Sequence, residues 1–256
     1  MRLTIIGSSG SLAGPKSPAS SYLVSPEDGS DPVIMDLGPG AMGILPQVTD
    51  PSRAHIVFSH LHADHCLDFP SLLVWRRFHP RLAATTKNIF VGPIFAAQHL
   101  GLASADAPGE VDDFSDSFVI RSWCQGDVQE VGAFDFTPMA MVHPTETYAL
   151  RVVERDTGQT LVYSADTAYC DDLVDLAKGA QLLLCEASWG ASSVGAAPGM
   201  HMSGAEAAMT AARAGVERLI LTHIPPWIDV ADTVSAAQEH FSGQIDVALP
   251  MQTYEF

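Results

Sequence analysis

The run Ser59-His60-Leu61-His62-Ala63-Asp64-His65 sets three imidazoles and a carboxylate within six consecutive positions, directly after the apolar stretch Ile56-Val57-Phe58. An extended chain turns His60 and His62 to one side by its period of two, and a following turn can aim Asp64 and His65 at a second point nearby. Neutral imidazole and carboxylate are the ligands that hold divalent zinc, with iron and manganese as competitors. Two groups of ligands imply two metal ions. A His-rich polar loop without a metal would leave these groups repelling one another on protonation with nothing to compensate.

Three later segments each end a strand-like run on a ligand-type residue: Met141-Val142-His143, Tyr163-Ser164-Ala165-Asp166 and Leu221-Thr222-His223. If all converge on the first motif, His60, His62 and His143 bind one metal, Asp64, His65 and His223 bind the other, and Asp166 bridges them. Such a site leaves room for a bridging water acidic enough to supply hydroxide near neutral pH. Alone, His143 or His223 would read as an ordinary structural histidine; the joint pattern carries the assignment.

The elements that must position these residues are short. Leu3-Ile6, Tyr22-Val24, Val33-Leu37, Ile56-Ser59, Phe118-Arg121, Phe134-Thr137, Ala149-Glu154, Thr160-Ser164, Leu182-Cys185, Leu219-Thr222 and Ile245-Ala248 read as strands bounded by Gly, Pro, Asp or Ser. Helical patterns cover Leu67-Phe78, Asp171-Lys178, Ser203-Ala214 and Ala231-Phe241. The third has Glu206 three residues after Ser203, a capping-box signature, and stops at Gly215. Two sheets with helices outside is the simplest assembly, built as one domain over residues 1–256. Ser11-Ser21 and Gly190-Met200, rich in Gly, Ala, Ser and Pro, read as loops flanking the site.

Bulk properties exclude several classes. No run of roughly 18 apolar residues is present for a membrane span. The start, Met1-Arg2-Leu3-Thr4-Ile5-Ile6-Gly7, enters a strand pattern without a signal-peptide core, which points to the cytoplasm. Cys66, Cys124, Cys170 and Cys185 are scattered, as reduced thiols would be. The formal charge of −17, from 30 acidic and 13 basic residues, argues against a nucleic-acid polymer as partner. Two divalent ions would offset that charge locally and admit a small anion.

With these motifs in place, the chain resembles the metallo-β-lactamase superfamily, whose HxHxDH motif stands here as His60 to His65. Within it the chain is similar to the ribonuclease Z branch, through Met35-Asp36-Leu37-Gly38-Pro39-Gly40, His201-Met202-Ser203-Gly204 and Leu221-Thr222-His223. The resemblance implies an αββα sandwich, two mixed β-sheets flanked by helices, with a dinuclear centre, most often zinc, at one edge. It also implies that His201 donates a proton in phosphodiester cleavage, oriented by Glu186, and that Asp64 shares in the catalysis. Asp36 would hold a ligand imidazole by its other nitrogen. The family's usual histidine before the glutamate is Cys185 here, so the orienting network can differ.

The tRNA-gripping arm of ribonuclease Z is absent between His143 and Asp166, where Pro144-Ala165 leaves room for a hairpin only, and the basic early loop is reduced to Pro15-Lys16-Ser17-Pro18-Ala19-Ser20. The closer resemblance is to compact actinobacterial members that hydrolyse cyclic nucleotides, through the segments Ser59 to Asp68, Leu73-Val74-Trp75-Arg76-Arg77, Cys185-Glu186-Ala187-Ser188-Trp189 and Leu221-Thr222-His223-Ile224-Pro225-Pro226-Trp227. It implies a phosphodiesterase opening 3′,5′-cyclic AMP to 5′-AMP by attack of a bridging hydroxide, and the ribonuclease Z resemblance implies a homodimer. The alternatives are a ribose cyclic phosphodiesterase, a tRNA endonuclease, a lactonase or thioesterase, or a nucleotide sensor without turnover. Trp75, Trp189 and Trp227 are candidates to stack on a base, and Arg76 or Arg77 to meet phosphate, with core packing or a subunit interface as the competing role for each.

Overall fold

The computed structural model describes residues 1–256, arranged as two seven-stranded sheets. The first holds β1 (Arg2–Gly7), β2 (Ser21–Ser25), β3 (Val33–Met35), β4 (His55–Val57), β5 (Asn88–Gly92), β6 (Phe118–Ser122) and β14 (Thr253–Glu255), in the order β14-β1-β2-β3-β4-β5-β6. The second holds β7 (Gln129–Val131), β8 (Phe134–Ala140), β9 (Tyr148–Glu154), β10 (Thr160–Tyr163), β11 (Leu182–Glu186), β12 (Arg218–Thr222) and β13 (Gln244–Val247), in the order β13-β12-β11-β10-β9-β8-β7. Helices α1 (Ala63–Cys66), α2 (Phe69–Phe78) and α3 (Ala96–Ser104) follow strands of the first sheet, and α4 (Asp171–Ala177), α5 (Gly204–Ala214) and α6 (Val230–Gln238) connect strands of the second.

Strand alternation assigns the layers. Leu3, Ile5, Tyr22 and Val57 of one sheet pack with Phe136, Leu150, Leu161 and Leu184 of the other. The opposite faces turn outward: Ile6, Ile34, Ile56 and Phe90 meet Phe69, Leu72 and Leu100, while Val162, Leu183 and Leu219 meet Leu173, Ala207 and Ala211. Each sheet is thus apolar on both faces, as strands with parallel crossovers require. The result is the αββα sandwich expected from the sequence. No helix is long and apolar enough to cross a membrane.

Every strand expected from the sequence is present, with ends shifted by a few residues. The strand at Val33 stops at Met35 because Asp36 takes a left-handed backbone, φ 58°. The helix expected over Leu67–Phe78 is two helices: α1 closes at Cys66, and α2 restarts with Pro70 in its first turn, where a missing N–H costs nothing. Strands β5, β7 and β14 and helix α3 were not expected. The capping box is as anticipated: Ser203 Oγ accepts the Glu206 N–H, and Glu206 returns the bond to the Ser203 N–H.

Arg76 is a core residue and does not reach the site. It is 1% exposed, and its guanidinium donates to the carbonyls of Ser52 (2.7 Å) and Ser117 (3.0 Å) and to Asn88 Oδ1 (3.0 Å), lying 4.3 Å over the Phe118 ring. Arg77 forks onto Asp112 and Asp116. Arg76→Lys keeps the charge but loses the fork, leaving buried carbonyls without donors. The expected loss is about 2–4 kcal/mol of unfolding free energy in urea titration, with KM unchanged; a raised KM at full stability would return Arg76 to the substrate.

Candidate metal centre

The ligand-type residues stand beyond the carboxyl ends of strands, on loops or, for two of them, on α1. His60 and His62 follow β4, Asp64 and His65 sit on α1, His143 follows β8, Asp166 follows β10 and His223 follows β12. Open sheets with parallel strands place ligands at such ends. Three of the turning residues, Asp36, Ala165 and His223, have φ of 58°, 51° and 54°, a conformation that costs a non-glycine residue energy and persists because its surroundings hold it. Two glycines allow the loops to close: a Cβ on Gly38 would lie 2.0 Å from the Asp64 carbonyl oxygen, and one on Gly10 would lie 2.3 Å from that of His223.

The structure brings all seven expected ligands together. Ligand atoms of His60, His62, His143 and Asp166 lie within 4.8 Å of one another, and so do those of Asp64, His65 and His223. Asp166 lies between the groups, with Oδ2 3.6 Å from His60 Nε2 and Oδ1 3.3 Å from His65 Nε2. Two further sets at the same spacing, Asp36 with His60 and His65, and Asp166 with His201 and His223, overlap these groups.

The hydrogen bonds behind the imidazoles decide which nitrogen each one offers. His65 Nδ1 donates to Asp36 Oδ2 at 2.8 Å and His143 Nδ1 to the Met200 carbonyl at 2.8 Å. Ser59 commits its hydroxyl proton to Asp36 Oδ2 (2.7 Å), so its oxygen accepts from His60 Nδ1 at 3.0 Å. Ser188 likewise donates to the His223 carbonyl (2.9 Å) and accepts from His223 Nδ1 at 2.6 Å. With Nδ1 committed to a partner on each of the four rings, Nε2 is the nitrogen each turns inward, the one that would face a metal. His62 presents Nδ1, 3.1 Å from His143 Nε2.

These contacts fit a pair of cations. His60 Nε2 and Asp166 Oδ1 are buried polar atoms with no hydrogen-bond partner in the protein, a costly arrangement unless something binds there. In the chain alone, burial drives His60 well below the ordinary histidine pKa. Burial also opposes a proton on His65, yet Asp166 and Asp36 outweigh it and hold its pKa well above ordinary. Asp166 is held well below the usual carboxylate range, against its burial, by the charges of His223, His65 and His60. Divalent cations would replace that protonic charge and release the protons.

His201 was not expected as a ligand; a ring nitrogen of it lies within 4.8 Å of ligand atoms of Asp166 and His223, but its Nδ1 has another partner. Its Nδ1 donates to Glu186 Oε1 at 3.0 Å, and Glu186 also receives the N–H groups of Thr167 (2.7 Å) and Ser188 (3.3 Å). Burial lowers the His201 pKa, but the Glu186 bond and charge prevail and raise it. Its ring lies 3.9 Å from Asp166 Oδ2 and meets Trp189 edge-on at 5.2 Å between centroids. Cys185 points away into the helix-side core, so it plays no part in orienting the pair. Of the other aromatic candidates, Trp75 stacks on His79 at 4.2 Å and Trp227 is 64% exposed beyond His223. Sequence reasoning missed Ser59, Tyr163, Ser188 and the Met200 carbonyl. The only signal was adjacency to motif residues.

Residues 31–224 match the family described as Beta-lactamase superfamily domain. An uncharacterized protein of Mycobacterium leprae is 45% identical over 255 residues, covering 100% of this chain and 88% of the relative. The probable metallo-hydrolase YhfI of Bacillus subtilis is 27% identical in sequence over 97% of each chain. The crystal structure of YhfI superimposes with a TM-score of 0.86 at 22% identity, covering 100% of this chain and 99% of that one. The short form of human tRNase Z superimposes with a TM-score of 0.75 at 20% identity, covering 100% and 99%.

Replacing Asp166 by Ala removes the carboxylate between the groups, and elemental analysis after desalting is expected to find both metals depleted. Ser188→Ala frees the His223 ring to take the other tautomer. About tenfold weaker binding of one metal of the two is expected in a chelator competition, and unchanged affinity would mean Ser188 does not set the tautomer.

Proposed function

The chain belongs to the metallo-β-lactamase superfamily of metal-dependent hydrolases, and from that premise we propose that it is a phosphodiesterase opening 3′,5′-cyclic AMP to 5′-AMP. The observation that carries the reading is the His201–Glu186 pair, in which the His201 Nδ1 is committed to a carboxylate beside the seven ligand-type residues. A phosphodiester with an alkoxide leaving group needs a proton at the departing oxygen, whereas a carbonyl substrate needs less help there.

His60, His62 and His143 would hold one divalent ion and Asp64, His65 and His223 the other, with Asp166 shared. Zinc is the ion we propose, on the strength of the imidazole and carboxylate donors. Bound together, the two ions would supply a water acidified toward neutral pH and positive charge beside the phosphoryl oxygens. Asp64 and Asp166 align the attacking water, each held ionised by neighbouring imidazoles against its burial. Glu186 fixes the His201 ring through Nδ1 and favours its protonated form. His201 Nε2, which has no protein partner, delivers the proton to the 3′-oxygen as it leaves.

Two features weigh against a tRNA substrate. Pro144–Ala165 is occupied by the β9–β10 hairpin and leaves no room for an arm, and the chain carries a formal charge of −17. On this reading the partner is a small cyclic nucleotide, and the working form is a cytoplasmic homodimer; a single-subunit mass by light scattering at micromolar concentration would remove the dimer.

Steady-state assays of zinc-loaded protein should release 5′-AMP from 3′,5′-cyclic AMP faster than product from 2′,3′-cyclic AMP, a ribose cyclic phosphate, 3′-extended tRNA or a lactone. Absence of cyclic AMP turnover in fully metallated protein would sink the assignment. His201→Ala should lower kcat on cyclic AMP by about 100-fold or more with metal content intact. On bis-p-nitrophenyl phosphate, whose leaving group needs no proton, the penalty should be much smaller; an equal one would make His201 a phosphate-binding group instead.

A further inference from the structure

The backbone around His201 is fastened on both sides. The carbonyl before it, that of Met200, accepts from His143 Nδ1 at 2.8 Å, and the one after it, that of Met202, accepts the Trp189 N–H at 3.0 Å. The Gly204 N–H then reaches the Gly190 carbonyl at 2.7 Å, so the chain through His201 and the chain leaving β11 run bonded to one another as far as the start of α5.

The side chain is held at fewer points. Its ring makes one hydrogen bond, from Nδ1 to Glu186 Oε1, and a single bond leaves a ring free to tilt about it. Nε2, the nitrogen that must aim at a departing oxygen, would sweep with the tilt. His143 and His223 flank the ring at 5.3 and 5.6 Å between centroids, and Trp189 is the neighbouring ring that belongs to no ligand group. It meets His201 at 79° with centroids 5.2 Å apart, the edge-to-face arrangement that aromatic pairs favour. Trp189 is partly buried yet packs into none of the three apolar clusters, so the core does not account for it. Its place follows from β11: one strand end delivers Glu186 to Nδ1 and Trp189 to the side of the same ring.

We propose, resting on the phosphodiesterase reading with His201 as donor, that Trp189 is a positioning residue: its indole fixes the tilt of the His201 ring so that Nε2 meets the leaving oxygen. The tryptophan acts only through His201. Glu186 sets which nitrogen faces the substrate, and Trp189 sets where that nitrogen points.

A double-mutant cycle on zinc-loaded protein tests this. Trp189→Ala keeps the backbone N–H for Met202 and removes the ring; it should lower kcat on 3′,5′-cyclic AMP about tenfold, the size of one aromatic pair, with KM and zinc content unchanged. Trp189→Phe, which keeps a ring beside His201, should recover most of that rate. In a His201→Ala background Trp189→Ala should cost nothing further, and on bis-p-nitrophenyl phosphate it should cost little. A full tenfold loss in the His201→Ala background would overturn the proposal, since the indole would then act on the substrate or the fold directly. An unchanged kcat in Trp189→Ala would overturn it too, while leaving the donor role of His201 intact. Equal penalties for His201→Ala on the two esters would instead remove that donor role, and the positioning role with it.

Discussion

One buried carboxylate organises the centre. Asp36 is fully buried and accepts four hydrogen bonds: from the Ser59 N–H (2.7 Å), the Ser59 hydroxyl (2.7 Å), His65 Nδ1 (2.8 Å) and the Tyr163 hydroxyl (2.9 Å). Ser59 and His65 follow β4 of the first sheet, His65 on α1, and Tyr163 belongs to β10 of the second. Burial and the neighbouring Asp36 charge push the Tyr163 pKa well above that of an ordinary tyrosine, so its hydroxyl stays a donor. A buried carboxylate is tolerable only when its acceptor sites are filled. Filling them here ties two sheets together and fixes two imidazole tautomers, His65 directly and His60 through Ser59.

That arrangement explains why the loops accept strain. Asp36 reaches its donors because its own backbone turns left-handed, which in turn ends β3 and lets Leu37 N–H bond the His65 carbonyl at 2.7 Å. Gly38 then passes the Asp64 carbonyl at a distance no side chain would allow. The early aspartate motif and the histidine motif are therefore one packed unit. Its rigidity comes from the sandwich beneath, where Tyr22 and Tyr163 pack at 5.0 Å and Tyr22 bonds Thr222, the residue before His223. The tolerance for error at a metal centre is a fraction of an ångström, and interlocked strand ends meet it better than free loops.

The centre was legible in the sequence where chemistry and spacing coincide, and opaque where it depends on ordinary residues. His60 to His65 announce themselves because so many ligand groups in so few positions have no other economical use. Asp166 and His223 follow from strand-end position. Ser188 and the Met200 carbonyl left no signal beyond adjacency to motif residues, since a serine or a peptide oxygen becomes an orienting group only through its place in space. Arg76 misled because its motif neighbourhood suggested phosphate. Its helix held the correction: Phe69, Leu72, Leu73 and Arg76 are the buried residues of α2, at i, i+3, i+4 and i+7, so Arg76 lies on the core stripe. The strands β7 and β14 are three residues each, too short for alternation to register. Helix α3, with a glycine and four alanines or serines among its nine residues, lacks a strong apolar stripe.

The pairing of His201 with Glu186 bears on what such a centre can select. Its acceptor, Glu186, is held by two backbone N–H groups on loops that also carry Asp166 and Ser188, so the proposed proton donor and the ligand-type residues share one scaffold. A histidine that bound metal through one nitrogen could not hold a proton there for a leaving group. A histidine free of the metals but unpaired would lose its proton to burial. Pairing with a carboxylate at 3.0 Å, while keeping the other nitrogen uncommitted, satisfies both demands. The proposed preference for esters with poor leaving groups follows from that division of labour, and it is set by Glu186 as much as by the histidine that acts.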